Sequence, residues 1–274
     1  MKKYCNYRNS GAIILIMALL LSSLPFTGTS QENTNLFVIV DYMKVKAGDD
    51  DAYLSVEQEI CKPIHQERIK QGNIIGWILY GVRYTGANDE YNYVTATLFD
   101  NVANLENPYE GIDFEKLHPG KSMGEASEKT LNSRKMVKSN LIRLVSSAYP
   151  ENSIRPALYK YIEVNFMKTK PGSPYLNLAR TMWQPIQQDF VNAGSRSGWS
   201  LWTSVFSRGF GEEFQFAAVN YYADFSKIGA ANFNEAFDKA QPGKDVNEFY
   251  KKNREARLTV RSEFWEVLDV VMKE

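Results

Sequence analysis

Few residue types in this chain could do chemistry, and the histidines are the scarcest. There are two, His65 and His118. His65 follows Cys61 by four positions, so a thiolate and an imidazole could share one helix face and ligate a metal or a haem iron. Pro63 lies between them and can bend that helix. No second Cys or His pair completes a site, so an inert pair is expected, with Cys61 and His65 as the metal candidates. His118 precedes Pro119-Gly120 and reads as a helix end. Lys121 and Lys244, which follow the two Pro-Gly pairs, could hold an anion, but a solvated turn accounts for them. The chain has no H-E-x-x-H, no G-x-S-x-G, no phosphate loop and no dinucleotide fingerprint. A serine triad would have to draw on one of the same two histidines.

The first thirty residues differ from the rest. Lys2, Lys3 and Arg8 precede an apolar run from Gly11 to Phe26, and Thr27-Gly28-Thr29-Ser30 then supplies small residues. That order reads as a secretory signal over 1–30, cleaved near Ser30, and implies an exported, periplasmic or extracellular protein. Cleavage would leave one cysteine, Cys61, and so no internal disulfide. It would also leave 29 basic against 32 acidic residues, a net charge near −3. This balance argues against a nucleic-acid partner, and no basic run is present to hold a membrane after cleavage.

The remainder is written twice. Residues 60–79 read ICKPIHQERIKQGNIIGWIL and residues 182–201 read MWQPIQQDFVNAGSRSGWSL. Phe114-Glu-Lys-Leu-His-Pro-Gly-Lys121 recurs as Phe237-Asp-Lys-Ala-Gln-Pro-Gly-Lys244. Arg134, Val137 and Ser139 recur as Arg257, Val260 and Ser262. The offset stays between 122 and 124 throughout, which marks a tandem duplication. The proline-flanked stretch Tyr149–Pro156 reads as the linker, giving modules at 36–149 and 157–272.

Each module opens with a β-branched and aromatic run, then a helix whose apolar residues step by three and four: Tyr53, Val56, Ile60 and Ile64, or Tyr175, Leu178, Met182 and Ile186. Gly72 and Gly194 end these helices. Pro63 and Pro185 fall at the same place in both, so a shared bend is expected. Two strands follow, joined by turns at Gly86–Asp89 and Arg208–Gly211, then a largely helical stretch and a closing strand. The order β-α-β-β-α-β is the ferredoxin-like unit. Two such α+β units can bury their bare sheet faces against each other.

This unit, its duplication and the helix–Gly–Gly-Trp–strand passage resemble the dimeric α+β barrel superfamily, in particular its NIPSNAP-like, EthD-like and antibiotic-biosynthesis-monooxygenase-like branches. The resemblance implies a pseudo-dimeric α+β barrel. The superfamily spans cofactor-free oxygenases, haem-binding and haem-degrading enzymes, and isomerases.

Strand alternation then sorts the faces. Val38, Val40 and Tyr42, with Ile162, Val164 and Phe166, form a uniformly apolar side expected to meet the helices. Phe37, Ile39, Asp41 and Met43, with Tyr161, Glu163, Asn165 and Met167, are then expected inside the barrel. Tyr91 and Tyr93, with Phe214 and Phe216, are assigned there too. Trp77 and Trp199 should pack under the helices, which points Tyr80 and Trp202 into the barrel. The expected site is therefore Asp41, Tyr80, Tyr91, Tyr93, Arg143, Tyr161, Glu163, Asn165, Trp202 and Phe216, with Arg143 the expected partner of Asp41. A small, mostly apolar ligand fits such walls. The expected function is an exported small-molecule binding protein with no cofactor. The alternatives are a barrel oxygenase, cofactor-free or haem-dependent, and a structural or interaction protein whose barrel is filled.

Overall fold

The computed structural model describes residues 35–206 and 212–274. The leader read at 1–30 and the turn read at Arg208–Gly211 lie outside the described residues.

Eight strands and the helices between them follow the duplicated order. The first copy supplies β1 (Phe37–Lys44), α1 (Asp50–Val56), α2 (Lys62–Lys70), β2 (Gly76–Val82), β3 (Tyr93–Phe99), α3 (Phe114–Leu117), α4 (Met123–Ser133) and β4 (Lys135–Ala148). The second supplies β5 (Tyr161–Thr169), α5 (Tyr175–Leu178), α6 (Gln184–Asn192), β6 (Gly198–Phe206), β7 (Phe216–Tyr222), α7 (Phe233–Ala240), α8 (Val246–Ala256) and β8 (Arg257–Met272). Among the described residues all strands join one closed barrel in the order β1-β3-β2-β8-β5-β7-β6-β4. The two bare faces do meet, and the sheet edges are joined as well. The closing strands are long, 14 residues in β4 and 16 in β8, so each outruns its own sheet. β8 pairs with β2 from Gly76↔Met272 to Val82↔Trp265, and β4 pairs with β6 from Leu141↔Phe206 to Ala148↔Trp199. Closure leaves no unpaired edge for another chain to extend.

The sidedness of the first strand in each module is the reverse of the sequence expectation. Val38, Val40 and Tyr42 pack with Ile162, Val164 and Phe166 inside the barrel. Met43, Trp77 and Leu79 pack outward against Tyr53, and Met167, Trp199 and Leu201 against Tyr175, Ile186 and Phe190. Alternation fixes which residues share a face, not which face is inside. The barrel lumen meets no helix, so it takes the purely apolar set. The outer face meets helix-borne Arg68 and Arg134 near Asp41, while side chains of neighbouring strands partner Glu163 and Asn165.

The helix prolines produce a widened turn. π-helical turns at Glu57–Cys61 and Ala179–Trp183 join α1 to α2 and α5 to α6. In each, the N–H of the residue before the proline reaches back five positions, Lys62 to the Glu57 carbonyl and Gln184 to the Ala179 carbonyl. Proline has no N–H and its ring crowds the preceding turn, and an inserted residue relieves both. Gly72 (φ +80°) and Gly194 (φ +70°) then end α2 and α6 in the left-handed region.

The linker lies against the start of β6. A Cβ at Gly198 would stand 2.7 Å from the Cβ of Pro156 and 3.1 Å from the Tyr149 ring. Gly198→Ala is therefore expected to destabilise the protein by about 1–3 kcal/mol. Gly76→Ala, which meets only the flexible end of Met272, should cost less. Urea denaturation of the two variants checks the order.

Candidate functional site

The barrel encloses a cavity of about 430 Å³. Both modules wall it with aliphatic side chains, among them Val38, Val40, Ile78, Ile142, Ile162 and Val164. Tyr42, Tyr80, Phe166, Trp202, Phe214 and Trp265 add aromatic surface. The linker contributes Ile154–Tyr159 and so forms part of the wall. It is held by backbone bonds from Ala157 N–H to the Ser197 carbonyl (2.9 Å) and from Lys160 N–H to the Tyr222 carbonyl (2.9 Å).

The two ends of the barrel differ in chemistry. At the end where β1 and β5 begin, hydroxyls gather. Tyr80 and Tyr159 share a hydrogen bond of 3.2 Å, and Ser200 and Tyr221 one of 2.9 Å. The Trp202 indole donates to Ser200 Oγ at 2.7 Å. Burial raises the pKa of Tyr80 and Tyr221 well above 10, so both phenols stay protonated.

At the end where β1 and β5 finish, charges gather. The Glu263 carboxylate accepts from Tyr91 OH (2.6 Å), Trp265 Nε1 (2.8 Å) and Arg261 Nε (2.5 Å). Arg261 also pairs with Glu213, and Lys138 bridges Glu213 (2.6 Å) and Glu90 (3.1 Å). The Lys138 ammonium lies 4.9 Å from the ring centroids of both Tyr42 and Tyr91. Lys138 and Arg261 occupy equivalent places in the two copies, as do Glu90 and Glu213.

Of the residues expected in the site, Tyr80, Tyr91 and Trp202 face the barrel interior. The others do not. Tyr93 packs at 4.7 Å on Tyr53 and donates to Asp50 (2.7 Å) on the helix side. Phe216 lies edge-on to Tyr175 at 5.2 Å, and Tyr161 stacks on Phe264 at 5.4 Å. Glu163 accepts from Asn220 (3.0 Å), Tyr222 (3.0 Å) and Asn165 (3.2 Å) on the outer face. Arg143 is exposed, opposite Phe37 and Thr203, and does not partner Asp41. Asp41 lies opposite Ser139 and bonds to its hydroxyl. Burial raises its pKa against that bond and against Arg134 and Arg68.

Asp41 belongs to a buried polar group under the first helix. Arg134 stands 2.8 Å from Glu57, which is 2% exposed. Arg68 donates to the Pro108 carbonyl (2.7 Å) and lies 3.0 Å from His65 Nδ1. A guanidinium only donates, so Nδ1 accepts and the other ring nitrogen carries the proton. His65 stacks on Trp77 at 4.8 Å, and burial drives its pKa down to about 3. Burial likewise pushes the Cys61 thiol up to about 12. The His65 ring thus has no lone pair left for a metal, and Cys61 stays a thiol. Among the described residues no cluster of His, Cys, Asp or Glu could hold a metal ion. The second copy carries Gln187, Phe190, Ala179 and Trp183 at the positions of His65, Arg68, Glu57 and Cys61.

Haem fits the cavity poorly on the same ground. His65 and Cys61 lie on the far side of the sheet, and His118 bonds the Ile60 carbonyl (3.1 Å) there too. The phenols that do line the cavity are held protonated by burial, whereas an iron would need a phenolate.

Sequence reading missed Glu263, Arg261, Lys138, Ser200, Tyr159 and Tyr221. The parity of Trp265 and Glu263 along β8 was available to place them together. Their side of the sheet was not.

No protein-family model matches the chain, and no curated protein matches its sequence. Its fold does match solved structures. A Fusobacterium nucleatum protein described provisionally as a monooxygenase superposes with a TM-score of 0.53 at 11% identity, over 87% of this chain and 94% of that one. A Lactobacillus acidophilus protein described in the same way gives 0.50 at 10% identity, over 87% and 96%. A haem-binding protein from Thermus thermophilus gives 0.49 at 10%, over 86% and 92%. The chain has the dimeric α+β barrel fold, with both halves in one polypeptide. At these identities the likeness is one of fold alone.

His65 links the buried group to pH. Its folded pKa lies below the unfolded value of about 6.5, so its contribution is complete above that pH and is lost as pH falls toward 3. Asp41 and Glu57, raised by burial, act in the opposite sense. Relative to His65→Gln, the native protein should lose about 2–3 kcal/mol of stability between pH 7 and pH 4.5. Urea midpoints of the two proteins at both pH values check this.

Proposed function

We propose that this protein is an exported binder of a small, mostly apolar molecule, which it holds in the barrel cavity. The observation that carries this reading is the cavity itself: about 430 Å³ of space with apolar walls drawn from both modules and a few polar groups at its ends. A filled barrel would leave no such volume. Export rests on the leader read at 1–30. The Gly-Trp strand starts and the duplication support placing the chain near the NIPSNAP-like, EthD-like and antibiotic-biosynthesis-monooxygenase-like branches.

A second reading is a cofactor-free oxygenase working in the same cavity. The two solved folds described as monooxygenases support it. Binding is preferred because no carboxylate lines the cavity among the described residues, and Glu263, at the charged end of the barrel, is already held by three donors and has little capacity left to act as a base.

N-phenyl-1-naphthylamine is a suitable apolar probe. It should bind saturably and quench Trp202 and Trp265. Ala217→Trp, which fills the lumen, should weaken binding by at least about tenfold, or 1.4 kcal/mol. Arg143→Ala, on the exposed outer face, should leave binding unchanged. Absence of saturable binding to the native protein would overturn the proposal.

A further inference from the structure

We infer that the cavity selects ligands carrying a hydrogen-bond acceptor oxygen, such as a ketone or quinone carbonyl, and seats that oxygen among Tyr80, Tyr159 and Tyr221. The inference rests on the binding reading above and adds the ligand's chemistry.

It follows from counting protons. Tyr80 and Tyr159 share one hydrogen bond (3.2 Å), so one of their two hydroxyl protons is used and the other is not. Ser200 and Tyr221 also share one (2.9 Å), with the same remainder. Whichever hydroxyl donates in each pair, one proton is left over. The Trp202 N–H donates into Ser200 Oγ (2.7 Å) and uses up an acceptor there. That tightens the shortage of acceptors at this end. The two pairs are neighbours, since the Tyr159 and Tyr221 rings meet edge to face at 4.8 Å. Tyr149 also hydrogen-bonds Ser200, which adds one hydroxyl proton and one bond to that group, so one proton there is still left without an acceptor.

The surplus cannot disappear by ionisation. Burial holds Tyr80, Tyr159 and Tyr221 protonated above their ordinary value, so all three remain hydroxyls at neutral pH. Tyr80 and Tyr221 are 4% and 7% exposed, and both line the cavity. A buried donor left without an acceptor is costly, so an acceptor entering the cavity gains more than the same group gains at the surface. A ligand of the same shape without that oxygen leaves both donors unmet. Sites that satisfy buried polar groups discriminate strongly against analogues that do not.

The test uses two probes of matched shape, 2-acetylnaphthalene and 2-ethylnaphthalene, titrated calorimetrically into the full mature chain. The ketone should bind at least about tenfold more tightly than the hydrocarbon. In the native protein the carbonyl stretch of the bound ketone should lie below its position in an alkane solvent. The Tyr80→Phe, Tyr159→Phe, Tyr221→Phe triple variant, which removes all three hydroxyls that seat the oxygen, should reduce the ketone's preference to under about threefold while still binding the hydrocarbon. Should that variant not fold, the infrared shift in the native protein decides. Equal affinities, or an unshifted carbonyl, would overturn this inference and leave the binding proposal standing. Failure of both probes to bind would overturn both.

Discussion

The interaction on which this structure depends is the pairing of each closing strand with the other module's β2 equivalent. β4 has β1 on one edge and β6 on the other, and β8 has β5 and β2. Without those two junctions each module is a four-stranded sheet with helices on one side only. Its other face, carrying Val38, Val40 and Tyr42 or Ile162, Val164 and Phe166, would lie in water. Such a face is far too apolar to remain exposed. Closure buries both faces in one step and leaves a lumen, because eight tilted strands enclose more space than these side chains fill. The cavity is a consequence of closing the barrel with Ala96, Ala217 and several valines pointing inward rather than with larger residues.

The order of elements, the duplication, the helix faces and the position of the helix irregularity were legible in the sequence. Trp77 and Trp199 pack outward under their helices, as their alternation with Leu79 and Leu201 indicates. Sidedness in β1 and β5 was not legible. A strand with one apolar and one mixed face usually turns the apolar face to the helices, as an open sheet with one solvated side does. A barrel has no solvated side. The lumen takes the apolar face, and the mixed face goes under helices that bring Arg68, Glu57 and Arg134 to it. Asp41 and Glu163 therefore changed from presumed ligand anchors to parts of the helix-to-sheet seam. Arg143 could not meet Asp41 for a related reason: the β1–β4 register sets Ser139, not Arg143, opposite it.

The seams show how differently two copies can solve one problem. Tyr53 and Tyr175 each donate to the methionine beneath them, Met43 and Met167, at 3.3 Å in both. Around that shared contact the first copy builds an ionic group and the second a mostly neutral one. Removing one partner of a buried ion pair is far more damaging than never having had it. The second copy, with Ala179 in place of Glu57, keeps Arg257 in place of Arg134 but settles it against Asn253 (3.1 Å) and Thr259 (2.7 Å). Asn165, the counterpart of Asp41, bonds Ser262 (2.5 Å) without a charge to neutralise. The acidic residues at Glu57 and Asp41 and the basic Arg68 are all replaced by uncharged ones, which leaves Arg257 as the one charge of the four positions.

A single chain also permits an asymmetric lumen, which two identical subunits could not. Glu263 and Asn140 are equivalent, opposite Val164 and Val40 respectively, and both point the same way as those inward-facing valines. In a symmetric pair either two carboxylates or two amides would face each other across the axis. Two carboxylates in low dielectric repel, and one would have to take up a proton. The duplicated chain places one carboxylate there and surrounds it with Arg261, Tyr91 and Trp265. Asn140 is 8% exposed, and its side-chain oxygen has no hydrogen-bond partner among the described residues. The asymmetry extends to the other end, where Ser200 stands at the position of Ile78, so one strand start brings a hydroxyl and its equivalent brings only bulk. A polar axis then runs through the barrel, with hydroxyl protons at one end and a neutralised carboxylate at the other. A ligand entering such a lumen meets two chemically different ends and is oriented by that difference before any single contact is made.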